Sequence, residues 1–258
     1  MPGALAPEMD DAQLLRYSRH LLLDELGPDA QAKFASAHAL IIGVGGLGAP
    51  VAQFLASAGL GTITICDADH VDLTNLQRQI LYATRDVGQP KVAAAAARLA
   101  EINADVVVSR VAERVHGDRL AALVQAADVV VDCSDNFETR HAVNRACVAA
   151  RKPLVSGAAI RFDGQIAVFD SRQIASPCYH CLFGEGDELE ETRCATMGVF
   201  APLVGIVGAT QAAEALKLVA GLGDSLAGRL LLLDTLAMQW RELRVPRDPD
   251  CAVCRDRK

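Results

Sequence analysis

The chain has 258 residues, 51% of them apolar, and a formal net charge of −7. That length suits one large domain with a sizeable core, and the acidic balance excludes a bulk affinity for nucleic acid or an anionic membrane surface. Alanine is abundant and aromatic residues are scarce, so an aliphatic core of close helix–sheet contacts is expected.

The opening MPGALAPEMD has neither the basic start nor the apolar stretch of a secretory signal. A cytoplasmic protein with a loose first seven residues is therefore expected. Residues 11–26, DAQLLRYSRHLLLDEL, have the spacing of one amphipathic helix. Residues 39–43 make a strand that runs into a glycine loop, and a helix follows over 49–58. TITICD, residues 62–67, is the next strand, and a polar loop extends to Gln89. Pro90, a residue favoured in a first helical turn, opens a helix that runs to Ile102. DVVVSRVAE is a strand, DRLAALVQAA a helix and DVVVDCSD a further strand; a helix over 138–150 and the strand PLVSGAA complete the regular part.

Strands that alternate with helices and read as near-continuous Val/Ile/Leu runs predict an α/β fold: a Rossmann-like, mostly parallel sheet with helices on both faces. Past residue 160 the texture changes. GQIAVFD and GRLLLLDTLAMQWRELRV read as antiparallel strands in the C-terminal third, with a helix over 205–220 between them. The apolar stretch 198–222 contains Gln211, Glu214 and Lys217, and its uninterrupted part is too short for a bilayer. It reads as a buried loop and helix, not as a membrane span. A single domain over 1–258 is expected, with a nucleotide-binding part at 11–160 and the antiparallel part at 161–258.

GVGGLG fits G-x-G-x-x-G at Gly43, Gly45 and Gly48, with a strand before it and a helix after it. Such glycines let backbone approach a phosphate at a helix N-terminus. Asp67, at the end of the next strand, stands where an acid binds ribose hydroxyls. The motif alone suits NAD, and a hydride-transferring oxidoreductase is the competing reading. The loop after Asp67 points elsewhere. It presents Asn75, Gln77 and Arg78, and Lys91 follows in the first turn of a helix. Converging Arg and Lys suit the concentrated charge of a triphosphate. Asp135 and Asn136 stand at the carboxyl end of a parallel strand, where a carboxylate can hold Mg²⁺ against phosphates.

Four of the eight cysteines form two Cys-x-x-Cys pairs, Cys178 with Cys181 and Cys251 with Cys254. Four thiolates suit a structural, tetrahedral zinc, and a redox pair is the alternative. Cys66, Cys133 and Cys147 fall inside strands or helices and read as small core residues.

GVGGLG, Asp67, NLQRQ, GQPK, DCSDN, CYHC and CAVC, in that order, resemble the HesA/MoeB/ThiF family over nearly the whole chain, from RYSRH to Cys254. The family activates ubiquitin-like sulfur carriers and is related to the adenylating domain of ubiquitin-activating enzymes. The resemblance implies that the C-terminal glycine carboxylate of a Gly-Gly carrier attacks the α-phosphate of ATP, giving carrier acyl-adenylate and pyrophosphate. It implies that Gly46 lies against the nucleotide, Asp67 holds the ribose, and the stretch Thr74, Asn75, Leu76, Gln77 and Arg78 lines the site. Asn75, Arg78 and Lys91 then face the phosphates, and Asp135 carries Mg²⁺. Arg19, in RYSRH, matches an arginine lent to the active site of the other subunit of a homodimer. Cys194 matches a cysteine that takes the activated carrier as a thioester or persulfide in some members and does nothing in others. Residues 161–258 would then also hold the carrier-docking region. The pattern, SGAAIRFDGQIAVF included, is most similar to the molybdopterin-synthase branch, with the thiamine sulfur carrier as the alternative client. The chain ends soon after Cys254, so a separate sulfurtransferase is the expected sulfur source.

Overall fold

The computed structural model describes residues 9–184 and 197–257. The N-terminal helical region is not one rod. It consists of α1 (Asp11–Arg16), α2 (Ser18–Leu21) and α3 (Gly27–Ser36). The predicted helix over 11–26 breaks at Tyr17, whose ring is buried and whose hydroxyl accepts from Asn103 Nδ2 at 2.9 Å. That tertiary bond sets the local backbone against the helical periodicity. α3, with Pro28 in its first turn, buries Phe34 and is an element the sequence reading did not expect.

The rest of the chain alternates as expected. β1 (His38–Ile42) leads through the glycine turn to α4 (Gly48–Ser57) and β2 (Thr62–Cys66). α5 (Lys91–Ile102) is followed by β3 (Val107–Val111), α6 (Gly117–Ala126), β4 (Val129–Asp132) and α7 (Phe137–Ala150). β5 (Pro153–Ile160) and β6 (Asp163–Asp170) form a hairpin. After the short α8 (Tyr179–Leu182) comes the long α9 (Ala201–Ala220), then β7 (Arg229–Asp234) and β8 (Gln239–Arg244). α9 starts four residues earlier than the predicted helix, because Pro202 fits a first turn that needs no N–H donor.

One eight-stranded sheet runs β3-β2-β1-β4-β5-β6-β7-β8. The pairs from β3 to β5 are parallel, and those from β5 to β8 are antiparallel. Alternate residues of each central strand enter opposite cores. Ile41, Ile63, Ile65 and Val131 pack with α4, α5 and α9; Leu40, Ile42 and Val130 pack with α6 and α7. Coverage of both faces does not extend across the whole sheet: every residue of β8 is exposed. α9, a long and strongly apolar helix, is a core element. Val204, Val207, Gln211 and Ala215 are buried on the sheet, and Glu214 Oε2 accepts the Leu226 amide at 2.7 Å.

Candidate active site

The site lies at the carboxyl edge of the parallel strands, where β1, β2 and β4 end at neighbouring loops. Gly43 turns the chain out of β1 with φ +87°, and a side chain there would meet Cys133 O at 2.9 Å. Gly48 is tighter still: a Cβ would lie 2.0 Å from Gly43 O. These two positions allow strand and helix to meet, and no side chain caps the start of α4, whose positive end remains available to an anion. Gly45 faces the amide of buried Gln79, and Gly46 faces Val204 on α9. Beside Gly46 a groove of about 230 Å³ is lined by Pro50, Arg78, Ile80, Ala201 and Pro202.

Asp67 is tied to the glycine turn. Its Oδ2 accepts from Val44 N at 2.8 Å and its Oδ1 from Asp69 N at 2.9 Å. Tyr82 Oη closes the same corner by donating to Val44 O at 2.7 Å, and burial, then the Asp67 charge, pushes its hydroxyl up. The loop beyond is organised by Asp72. Its Oδ1 accepts from both the backbone N–H and the hydroxyl of Thr74, which holds its carboxyl below the usual range. Arg78 Nη1 donates to Thr74 O at 3.1 Å, which leaves the rest of the half-buried guanidinium beside the groove. Asn75 is half-buried, Thr74 and Gln77 are exposed, and Leu76 packs on the core.

Lys91 is not a free cation. Its side chain is 7% exposed and its Nζ sits 2.9 Å from Asp69 Oδ2. Asp69, which the sequence reading missed, thus holds Lys91 next to the loop that carries Asp67. Its signal was present in the repeated acids of DADHVD. Asp135 is exposed on the loop after β4, and Asn136 Nδ2 donates to its Oδ1 at 3.3 Å. Asn136 caps α7 by accepting from Thr139 N at 2.9 Å, so its carbonyl oxygen already has a structural task. The loop is fixed from beneath by residues the sequence did not single out. Buried Asp132 accepts from the N–H and hydroxyl of Ser134, Arg140 donates to Ser134 O at 2.7 Å, and Gln211 of α9 donates to Asp132 O at 2.9 Å.

Arg19 is exposed on α2 and is not brought to this edge. α2 is held at the opposite end of the sheet: Tyr17 bonds Asn103, whose amide also donates to Ala56 O near the C-terminus of α4, and His20 contacts Gln31. Cys194 lies outside the described residues.

The two Cys-x-x-Cys pairs do meet. Cys178 Sγ stands 3.8 Å from Cys181 Sγ and 3.7 Å from Cys251 Sγ, and Cys181 Sγ is 3.5 Å from Cys254 Sγ. All four sulfurs lie within 4.8 Å of one another. Sulfurs placed about 2.3 Å from a central zinc are about 3.8 Å apart at the edges of a tetrahedron, so the cluster can hold a metal such as zinc. Donation from Cys178 Sγ, together with the N–H groups of Cys178 and Asp248, outweighs burial and holds the Cys181 thiol below its usual range. Burial instead pushes Cys66 up to about 12 and raises Cys133 and Cys147, as suits inert core thiols.

Fold and site together define a Rossmann-like α/β protein whose glycine turn, strand-end acid Asp67 and cations Arg78 and Lys91 gather at one sheet edge. The chain belongs to the ThiF family, whose profile matches residues 17–253. It is 44% identical to a molybdopterin-synthase adenylyltransferase of Escherichia coli, over 96% of this chain and 98% of that one. It is also 44% identical to the sulfur carrier protein ThiS adenylyltransferase of the same organism, over 95% and 97% of the two chains. Among solved structures, Escherichia coli MccB with ATP superposes with a TM-score of 0.81 at 26% identity, covering 93% of this chain and 75% of that one.

Proposed function

We propose that this protein adenylates the C-terminal glycine of a ubiquitin-like sulfur carrier of the molybdopterin-synthase small-subunit type, with ATP as co-substrate. The observation that carries the reading is the placement of Arg78, the Asp69-held Lys91, Asp67 and Asp135 around one glycine turn. An oxygen of the carrier carboxylate bonds to the α-phosphorus of ATP, the bond to the β-phosphate bridging oxygen breaks, and pyrophosphate leaves with its electron pair. Both reactants are anions, so the site must neutralise charge before they meet. A carboxylate is already a nucleophile at neutral pH, so no general base is required.

In this reading Asp67 binds the ribose, Gly43, Gly45, Gly46 and Gly48 let the backbone approach the nucleotide, and Asn75, Arg78 and Lys91 meet the phosphates. Asp135 is the side chain to hold Mg²⁺, which when bound spreads the negative charge of the triphosphate. Its exposed carboxylate, at the carboxyl end of β4, suits that task. The four cysteines hold a structural zinc, because a complete set of protein thiolates leaves no position open to substrate. Arg19 serves the site of the other subunit in a homodimer; the position of α2 at the far end of its own sheet supports delivery in trans. Cys194 acts after adenylation: its thiolate attacks the carrier acyl carbon, a C–S bond forms, and AMP leaves.

The equal identity to the molybdopterin and thiamine relatives favours a second client, the thiamine-pathway carrier. For sulfur supply we propose a separate sulfurtransferase in the cytoplasm. A pig relative named adenylyltransferase and sulfurtransferase is 46% identical, and this chain spans 56% of it.

The decisive experiment is carrier-dependent ATP–pyrophosphate exchange with purified Gly-Gly carriers of both types. Arg78→Ala should lower exchange at least about 100-fold, the scale on which single charge-stabilising groups act, with an unchanged circular dichroism spectrum. Exchange at the parent rate in that variant removes Arg78 from the mechanism, and exchange with neither carrier removes the function.

A further inference from the structure

Two arginines beside the cysteine cluster are bonded in an unusual way. Arg247 Nη1 donates to Ile174 O at 3.0 Å, and its Nη2 donates to Cys254 O at 2.6 Å and Arg255 O at 2.9 Å. Arg257 Nη2 donates to Ile174 O at 3.0 Å and to Ser176 O. The two guanidiniums thus share one acceptor, and one of them touches the backbone of a cysteine of the cluster. Among the described residues neither has a carboxylate within ion-pair distance. Arg247 Nε and the Nε and Nη1 of Arg257 are buried without an acceptor. The nearby acids are engaged elsewhere: Asp248 Oδ1 accepts the Asp250 amide, and Asp256 faces Arg255.

Two adjacent cations bonded only to carbonyls repel each other and retain a desolvation cost. Something must favour the arrangement. Four thiolates around one divalent ion carry two negative charges in excess, the same number as the two guanidiniums supply. We propose that Arg247 and Arg257 are the built-in counter-charge of the metal–thiolate centre and raise its affinity for zinc. This rests on the zinc reading above and goes beyond it, since the ligands alone do not require any cation. The arginines also bind the tail to the 171–177 loop, so the two guanidiniums lie on the backbone segments that lead into Cys178 and out of Cys254.

The test is competition for Zn²⁺ between the full-length protein and a chromogenic chelator, paired with thermal melts of loaded and metal-free protein. Arg247→Gln and Arg257→Gln should each weaken zinc binding by about 10–100-fold, the usual effect of losing an outer-shell partner. Arg247→Lys, which keeps the charge and loses the forked hydrogen bonds, should stay close to the parent affinity. The loaded Gln variants should fall further below the loaded parent than the metal-free variants fall below the metal-free parent. Unchanged zinc affinity in the Gln variants overturns the proposal. So does a Lys variant as weak as the Gln variant, or an equal fall in metal-free melting, because either marks a mechanical fastener. Absence of zinc binding by the parent overturns the zinc reading itself, a separate result.

Discussion

The two ends of this molecule solve opposite electrostatic problems. At the carboxyl edge of the parallel strands, cations and acids sit on loops, and Arg78, Asn75 and Asp67 remain half-exposed. At the cysteine cluster, Cys178, Cys251 and Cys254 are buried, and the half-buried guanidinium groups of Arg247 and Arg257 meet the backbone of the loop before α8. The first arrangement leaves Arg78 and Asp135 open to a reactant while Asp69 holds Lys91. The second gathers its thiols into one closed set that joins the tail to the body of the chain. Function therefore belongs to the loops and stability to the thiolate end, and substitutions should separate the two.

The largest stability effect is expected from the double variant Cys251→Ser with Cys254→Ser. It removes two ligands and frees the tail, at a cost of about 4 kcal/mol, or about 10 °C in Tm. A chelator should reproduce the fall in the parent and add nothing in the variant; an additional fall would mean that the metal sits elsewhere. Gly48→Ala comes next and marks where that division ends, because the turn at the carboxyl edge is also a close backbone contact. Its Cβ would lie 2.0 Å from Gly43 O, so strand and helix must part, at a cost of about 3 kcal/mol. Here exchange activity and Tm should both fall, unlike in Arg78→Ala. A parent-like Tm would show that the turn has room to spare.

The smallest effect concerns Asp170, which shapes the loop leading to Cys178. Its buried carboxylate accepts from Arg172 Nε at 2.8 Å, Arg172 Nη2 at 2.9 Å and Gln173 Nε2 at 3.0 Å. Burial raises its pKa, and the Arg172 and Gln173 interactions outweigh that and hold it below the usual carboxylate value of 3.8. A folded pKa below the unfolded one stabilises the protein above pH 3.8, and the gain disappears as pH falls through the folded value. Asp170→Asn should cost about 2 kcal/mol at pH 7 and flatten the stability curve between pH 5 and the acid limit. Denaturant melts at pH 7 and pH 3 measure both; an unchanged acid slope would assign that slope to other carboxylates.

Much of this was legible before the fold was known. Gly43, Gly48 and Asp67 could be placed because a tight turn and a strand end impose local rules on residue type. The cysteine pairs could be assigned a common site because thiolates in a reduced chain have few other uses. Lys91 was singled out without its partner Asp69, since the repeated acids of DADHVD do not say which of them meets a lysine 22 positions on. Asn136, read as a site residue, also caps α7, a task that its type suits equally and that the site motif does not reveal. The break at Tyr17 was invisible for the same reason as the Asp132–Ser134–Arg140 lock: each rests on a bond to a buried group whose neighbours come from elsewhere in the chain.

By itself the amino-acid order determined the alternation of strands and helices, the glycine turn with its acid, and the four metal-suited thiols, because periodicity and spacing act over one or two turns of chain. Only the tertiary structure decided that Lys91 is held by Asp69, that α2 is anchored at the far end of the sheet, and that Arg247 and Arg257 converge on one carbonyl. Those outcomes depend on which distant segments share a buried space, and burial turns weak surface attractions into bonds that set position.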